Sequence, residues 1–156
     1  MAEHRPRVIV GVDESQGSAR ALDFAAWEAR SLSRPLHLVR GIELPVPSPF
    51  TGYVPYDEAA RAAHTWVARA VDEARQRFPD LEISGSAVTG RGAAALLDRV
   101  TESDLLVVGS RSRSATRSIL LGSVSSAVAA HAGCPVIVVR GEGGDGRRVV
   151  VGADGS

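Results

Sequence analysis

Five segments of the chain have the length and apolar content of β-strands. They are residues 8–12, 36–42, 81–88, 105–108 and 136–139. The first and the fourth are continuous apolar runs, which is typical of a strand covered on both faces in a parallel sheet. The third mixes apolar with small residues, which favours a strand at the edge of the sheet.

Between these segments, apolar residues recur at the three- and four-residue spacing of a helix that buries one face. The positions are Leu22, Ala25, Ala26, Ala29 and Leu32 in the first helix, Ala63, Trp66, Val67, Ala70, Ala74 and Phe78 in the second, Ala93, Leu96, Leu97 and Val100 in the third, and Leu121, Val124, Val128 and His131 in the fourth. Ser18 is predicted to cap the first helix, and Gly133 to close the last. Trp27 and Trp66 are predicted to lie in the core or to face a partner.

Strands that alternate with helices form right-handed βαβ units, and these build a doubly wound parallel sheet with helices on both faces. Five strands and four helices allow a flavodoxin-like order or the order 3-2-1-4-5. In the second order the topology switches between strands one and four, and ligands bind beyond the carboxyl ends of the strands at such a point. The loops that meet there begin at Asp13 and at Gly109.

The loop after the fourth strand combines glycines, serines and arginines. Gly109 and Gly122 allow a backbone to approach a ligand closely. Ser123, Val124 and Ser125 begin a helix whose free N–H groups and dipole favour an anion, and guanidinium groups suit phosphate oxygens. Residue chemistry alone leaves two interpretations open, a phosphate-binding loop and a solvated loop before an ordinary helix.

Three stretches of the carboxyl-terminal third resemble the universal stress protein family. They are residues 107–111, 120–125 and 131–136, which read VVGSR, LLGSVS and HAGCPV. The nucleotide signature of the family is Gly, two residues, Gly, nine residues, then Gly and Ser or Thr. It falls on Gly109, Ser112, Gly122 and Ser123 with the spacing intact, and Ser112 replaces the second glycine. The likeness extends from Arg7 to Arg140.

This resemblance implies the strand order 3-2-1-4-5, in an adenine-nucleotide alpha-hydrolase-like fold, with ATP and Mg²⁺ bound at the switch point. Asp13 would face the nucleoside and Gly41 would line the adenine side. Gly109 and Ser112 would pass beside the ribose and phosphate. The phosphates would be held by Gly122, Ser123, Val124 and Ser125.

Ser112 departs from the signature, and the consequence depends on the backbone at that position. If the backbone must be left-handed, a side chain costs about 1–2 kcal/mol, which corresponds to roughly a tenfold loss of affinity. If the position needs only room, the hydroxyl either crowds a phosphate or bonds it. The sequence therefore leaves open a dimerisation and interaction module of the same family that binds no nucleotide.

Two functions compete with that module. The first is a nucleotide-binding stress-response regulator that is not an enzyme and in which ATP hydrolysis is slow and incidental. The second is an adenylating enzyme of a related α/β family. Such enzymes carry a Ser-Gly-Gly loop or a His-and-Gly pair after the first strand, and Asp13-Glu14-Ser15-Gln16-Gly17 has neither, which disfavours this function.

The last residues of the chain repeat its first strand. Residues 148–156 match residues 7–15 at six of nine positions, after a glycine-rich linker at 142–147. We therefore predict a universal stress protein domain at 1–141 and the first strand of a second, truncated repeat at 148–156. The resemblance implies pairing through Val136 to Val139, either in a homodimer or with the tandem domain.

Charge and cysteine content limit the classes of partner and the cellular compartment that the sequence supports. The 18 basic residues, all arginine, balance 18 acidic ones, so no long-range field attracts nucleic acid or an anionic membrane. No apolar run approaches the length of a membrane span, and no signal peptide is recognised. The lone Cys134 suits a reducing cytoplasm, and with His131 it lacks the second pair that a metal site needs.

Overall fold

The computed structural model describes residues 5–43, 55–110 and 122–140. Three predictions lie outside these residues: the place of Leu121 in the fourth helix, the role of Ser112, and the linker and repeat at 142–156. The structure therefore leaves the predicted domain boundaries as predictions.

The five strands form a single parallel sheet. They are β1 (Val8–Gly11), β2 (Leu36–Ile42), β3 (Ile83–Thr89), β4 (Leu105–Gly109) and β5 (Val136–Val139). Their order is β3-β2-β1-β4-β5, as the resemblance implied, with β3 at one edge as predicted. β1 pairs with both β2 and β4, so that Val10 lies between Leu38 and Val107. The flavodoxin-like alternative is therefore excluded.

Four helices cover the two faces of the sheet. They are α1 (Gln16–Ser31), α2 (Tyr56–Arg77), α3 (Gly92–Leu97) and α4 (Ser123–His131). Alternate residues of β1 enter different cores: Val8 and Val10 pack with α1 and α2, whereas Ile9 packs with α3 and α4. All three are fully buried. Burial on both faces is the physical reason for the continuous apolar run. In the described residues, no helix is long and apolar enough to cross a bilayer.

Two predicted helix ends are wrong. The cap of α1 is Ser15, whose Oγ accepts a hydrogen bond from the Ser18 N–H at 3.1 Å, and Ser18 lies inside the first turn. Gly133 does not close α4 in a left-handed conformation, because the helix ends at His131 and Ala132 is already extended. Leu32, predicted on the buried stripe of α1, lies beyond the helix as its C-cap and is 44% exposed.

A buried carboxylate joins the two central strands at the end opposite the switch point. Asp104, which is 1% exposed, accepts hydrogen bonds from the backbone N–H of Arg7 at 2.8 Å and of Thr101 at 2.9 Å. The Arg7 guanidinium adds an ion pair at 3.3 Å. A buried carboxylate is tolerated when its oxygens are satisfied in this way. Asp104 thus fixes the start of β1 against β4, and with it the geometry of their far ends.

Candidate functional site

A cleft of about 530 Å³ opens at the carboxyl ends of β1, β2 and β4. This is the switch point at which the sequence predicted a ligand. The structure brings seven of the predicted site residues together around this cleft. They are Asp13, Gly41, Gly109, Gly122, Ser123, Val124 and Ser125.

The first turn of α4 forms one wall of the cleft. Its N-cap is Gly122, which has no side chain that could accept a hydrogen bond from the amides of the first turn. The N–H of Gly122 itself donates to the carbonyl of Ser110 at 2.9 Å. The Ser125 hydroxyl is buried and donates to the Gly122 carbonyl at 3.0 Å. The exposed Ser123 hydroxyl and the first amides of the helix are therefore the groups available to an anion.

The first turn of α1 forms another wall, and here the polar groups bond to one another. The Ser15 N–H donates to Asp13 Oδ1 at 2.8 Å. The Asp13 N–H donates to Ser18 Oγ at 2.8 Å, and the Ser18 N–H donates to Ser15 Oγ. This network holds the exposed Asp13 carboxylate at the rim of the cleft.

Two glycines of the predicted site are required by packing within the chain. A Cβ on Gly109 would lie 2.6 Å from the carbonyl oxygen of Gly17, in α1. A Cβ on Gly41 would lie 2.8 Å from the carbonyl oxygen of Gly90. The sequence predicts that Gly109 lacks a side chain so that a ligand can approach the backbone. In the structure, the close approach of α1 already requires glycine at this position.

The backbone of Gly41 faces the cleft. The N–H of Val12, just after β1, donates to the carbonyl of Val39 in β2 at 2.9 Å, so the backbone groups of Val39 face β1. Alternate residues of a strand direct their backbone groups to the same neighbour, so the N–H and C=O of Gly41 point the same way as those of Val39. Since β1 ends at Gly11, these two groups lie past the end of that strand. Gly41 thus offers one donor and one acceptor side by side.

Arg40 lines the cleft but is absent from the site residues predicted from the sequence. Its side chain lines the cleft, with Nη2 donating to Glu14 Oε1 at 3.1 Å. The guanidinium carbon lies 4.2 Å from the ring centroid of Trp66, which also lines the cleft. The available signal was an arginine within a strand predicted to be largely apolar. Trp27, by contrast, is 54% exposed on α1.

His37, His131 and Cys134 lie apart from this cleft. His131 Nδ1 bonds the Ala127 carbonyl at 2.9 Å, and burial raises the pKa of the Cys134 thiol, which does not favour a reactive thiolate. His37 lies between the hydroxyls of Ser84 and Ser86, and burial lowers its pKa. In the part of the chain that the structure describes, no three His, Cys, Asp or Glu side chains come together as metal ligands would.

Sheet order, helix placement and cleft together define a doubly wound α/β domain with a candidate ligand site at the switch point of the sheet. The model of the universal stress protein family matches residues 4–140, and the chain belongs to that family. The universal stress protein Rv2005c of Mycobacterium tuberculosis is 30% identical over 160 residues, covering 96% of this chain and 54% of the relative. A relative in Mycolicibacterium smegmatis is 32% identical over 145 residues, covering 88% of this chain and 47% of that protein. The chain spans about half the length of these curated relatives.

Solved structures show the same fold. The universal stress protein UspA from Lactobacillus plantarum superposes with a TM-score of 0.71 at 21% identity, over 87% of this chain and 99% of that one. A universal stress protein from Archaeoglobus fulgidus gives 0.65 at 28%, over 86% and 98%. A universal stress protein in complex with cAMP gives 0.62 at 28%, over 87% and 97%.

Proposed function

We propose that this chain is a stress-response regulator that binds an adenine nucleotide, ATP with Mg²⁺, in the cleft at the switch point. The observation that carries the proposal is that two features face the same cleft: a helix N-terminus without a side-chain cap, and the backbone N–H and C=O of Gly41 beyond the end of β1. One end suits phosphates and the other suits a base. A relative of 28% identity has been solved with cAMP, which supports an adenine nucleotide as the ligand class.

At the phosphate end, the first amides of α4 and the Ser123 hydroxyl would bind phosphate oxygens. Four N–H groups of a helix N-terminus have no partner within the helix, and the dipole places partial positive charge there. Mg²⁺ would be held mainly by phosphate oxygens and water, as is usual for this ion. The Asp13 carboxylate, fixed at the rim, would accept a hydrogen bond from a ribose hydroxyl.

At the base end, Gly41 matches the amino edge of adenine. That edge presents an N–H donor at the exocyclic amine beside an acceptor at the ring nitrogen N1. The C=O and N–H of Gly41 complement this pair. A side chain at this position is excluded by Gly90 in any case, so the packing of the chain also keeps the edge accessible.

The groups in the cleft support binding rather than turnover. Asp13 accepts a hydrogen bond from the Ser15 N–H, and Glu14 pairs with Arg40, so two of the three carboxylates that line the cleft already have partners. A general base needs to reach the proton it abstracts, and these contacts favour a structural use of both groups. We accordingly propose a cytoplasmic signal-binding protein in which hydrolysis of ATP is slow and incidental.

The proposal is tested by mass spectrometry of nucleotide released from freshly purified, denatured protein, together with calorimetric titration of ATP and Mg²⁺. We expect adenine nucleotide in the released fraction and a saturable heat at millimolar ATP or below. No released nucleotide, no heat and no shift in melting temperature at millimolar ATP would contradict it.

Among the described strands β5 lies at the edge of the sheet, and this position favours a second candidate, dimerisation without nucleotide. Ile137 and Val139 are only partly buried against the core that includes α1. An open strand edge beside apolar side chains is unfavourable for a monomer, so we propose antiparallel pairing of β5 with a second copy or a tandem domain. Analytical ultracentrifugation should show a dimer at tens of micromolar, on the order of concentrations at which weak dimers form. A monomer at that concentration would contradict the pairing.

A further inference from the structure

We propose that Arg40 reads the base of the bound nucleotide and is a specificity-determining residue of the cleft. The proposal rests on the proposed function, since it names a contact to the same ligand. Arg40 precedes Gly41 on β2 and lines the cleft beside it. It is the charged side chain that the strand carries to the base end.

Two contacts fix the guanidinium before any ligand arrives. Nη2 donates to Glu14 in the loop after β1, and the guanidinium carbon lies over the ring of Trp66 of α2. An ion pair and a cation–π contact to two separate elements restrict a side chain that would otherwise be flexible. Less conformational entropy is then lost when the ligand forms its hydrogen bond.

A third observation concerns Nη1, the guanidinium nitrogen of Arg40 that makes neither of these contacts. Nη1 of Arg40 is buried and has no hydrogen-bond partner among the described residues. A buried polar group of this kind calls for an explanation, and leaving a charged donor unpaired is unfavourable. Because a guanidinium donates and never accepts, a partner for Nη1 must be a hydrogen-bond acceptor, and we assign it to the ligand because the Arg40 side chain lines the cleft.

The position of Arg40 assigns that acceptor to the base. β1 lies between β2 and β4, so the strand of Arg40 is about 10 Å from the strand that leads to the phosphate end. Contact with Trp66 holds the guanidinium on the α2 side, away from α4. With the amine and N1 of adenine at Gly41, the remaining ring acceptors are N3 and N7, and Arg40 donates to one of these two.

The test compares ATP with 3-deaza-ATP and 7-deaza-ATP, which each lack one ring acceptor, on the wild type and on Arg40→Met. Calorimetry should show that one analogue binds the wild type at least tenfold more weakly than ATP. Arg40→Met should bind ATP at least tenfold more weakly and should no longer distinguish ATP from that analogue. This loss of discrimination is a non-additive effect that a purely structural role would not produce.

Two further variants keep the test interpretable. Arg34→Met removes an arginine that bonds the Ser103 carbonyl, outside the cleft, and should leave the affinity for ATP within twofold. Trp27→Phe leaves Trp66 as the sole tryptophan, so that its fluorescence provides a second titration at the cleft. Melting temperatures within a few degrees would show that Arg40→Met is folded.

The possible failures are distinct. Absence of ATP binding to the wild type would overturn the proposed function, and the role of Arg40 with it. If ATP binds and Arg40→Met retains the affinity and discrimination of the wild type, the assignment of Arg40 alone is wrong. The same conclusion follows if both proteins lose equal factors with each analogue.

Discussion

Helices α1 and α4 begin at the same edge of the sheet, on opposite faces, and both direct their first turn at the cleft. At α1, Ser15 caps the helix, and Asp13 and Ser18 complete the network of hydrogen bonds. At α4, the N-cap is Gly122, which has no side chain to contribute.

The two helix starts differ in whether the chain itself caps their amides, so one wall of the cleft is structural and the other is suited to a ligand. Every helix start carries amides without partners in the helix. Where the chain supplies its own acceptors, as at Ser15, the helix start gains stability and loses capacity for a ligand. Where it supplies none, as at Gly122, the amides remain for an anion. Gly109 lies between the two and packs against α1.

Replacement of Gly109 by alanine should have the largest effect, a loss of stability where β4 packs against α1. The new Cβ would lie within 2.7 Å of two backbone atoms of Gly17, so α1 must shift. We expect the free energy of unfolding to fall by about 2–3 kcal/mol in urea denaturation. Gly133→Ala, whose Cβ would meet nothing within 4 Å, is the control and should change stability by less than about 0.5 kcal/mol. Equal stabilities would contradict the tight contact.

Replacement of Gly122 by aspartate should convert the start of α4 into one like that of α1. The carboxylate would cap the first amides and repel phosphates, so the affinity for ATP should fall roughly tenfold or more, about 1.4 kcal/mol. The stability should stay equal or rise by a few tenths of a kcal/mol. Gly122→Asn caps without charge and separates the two effects in calorimetry. Unchanged affinity in both variants would show that α4 does not hold the phosphates.

Replacement of Ser112 by glycine restores the family signature and should test whether this position limits the affinity for ATP. If the position requires a left-handed backbone, the affinity for ATP should rise about tenfold. Ser114→Gly, two positions along the same segment, controls for the loss of a serine side chain. Equal affinities for the wild type and Ser112→Gly would mean that Ser112 does not limit binding.

Replacement of Ser15 by alanine should have the smallest effect and should leave the ligand side intact. Loss of the N-cap should lower the free energy of unfolding by about 1 kcal/mol, with the affinity for ATP within twofold of the wild type. Ser31→Ala, at the other end of α1, is the matched control and should change stability by less than about 0.5 kcal/mol. A large loss of affinity in Ser15→Ala would show that α1 also serves the ligand.

The sequence predicted the fold well because the fold depends on repeated local patterns. The apolar run at 8–12 identified β1 because a strand covered on both faces needs such residues throughout. Helix ends were less predictable. Serines occur at both 15 and 18, and local chemistry favours either as a cap, so the choice depends on how α1 packs against β4.

The position of the cleft was predicted from the sequence, but the contacts made by its residues were predicted only in part. Gly109 was correctly placed there, while its lack of a side chain depends on Gly17, which is distant in sequence and adjacent in space. Arg40 was missed for the same reason. Its orientation requires Glu14 and Trp66, each 26 residues away along the chain, and no local pattern reveals such a contact.

The hydrogen bond from the Gly122 N–H to the Ser110 carbonyl has a consequence for how the chain can vary. It brings together the two described residues that flank the segment 111–121 in the sequence. The entropy of closing such a loop rises slowly, by about 0.6 kcal/mol for each doubling of length. Insertions and deletions here should therefore be nearly neutral for folding. The length of this segment is then free to follow the demands of whatever the protein binds.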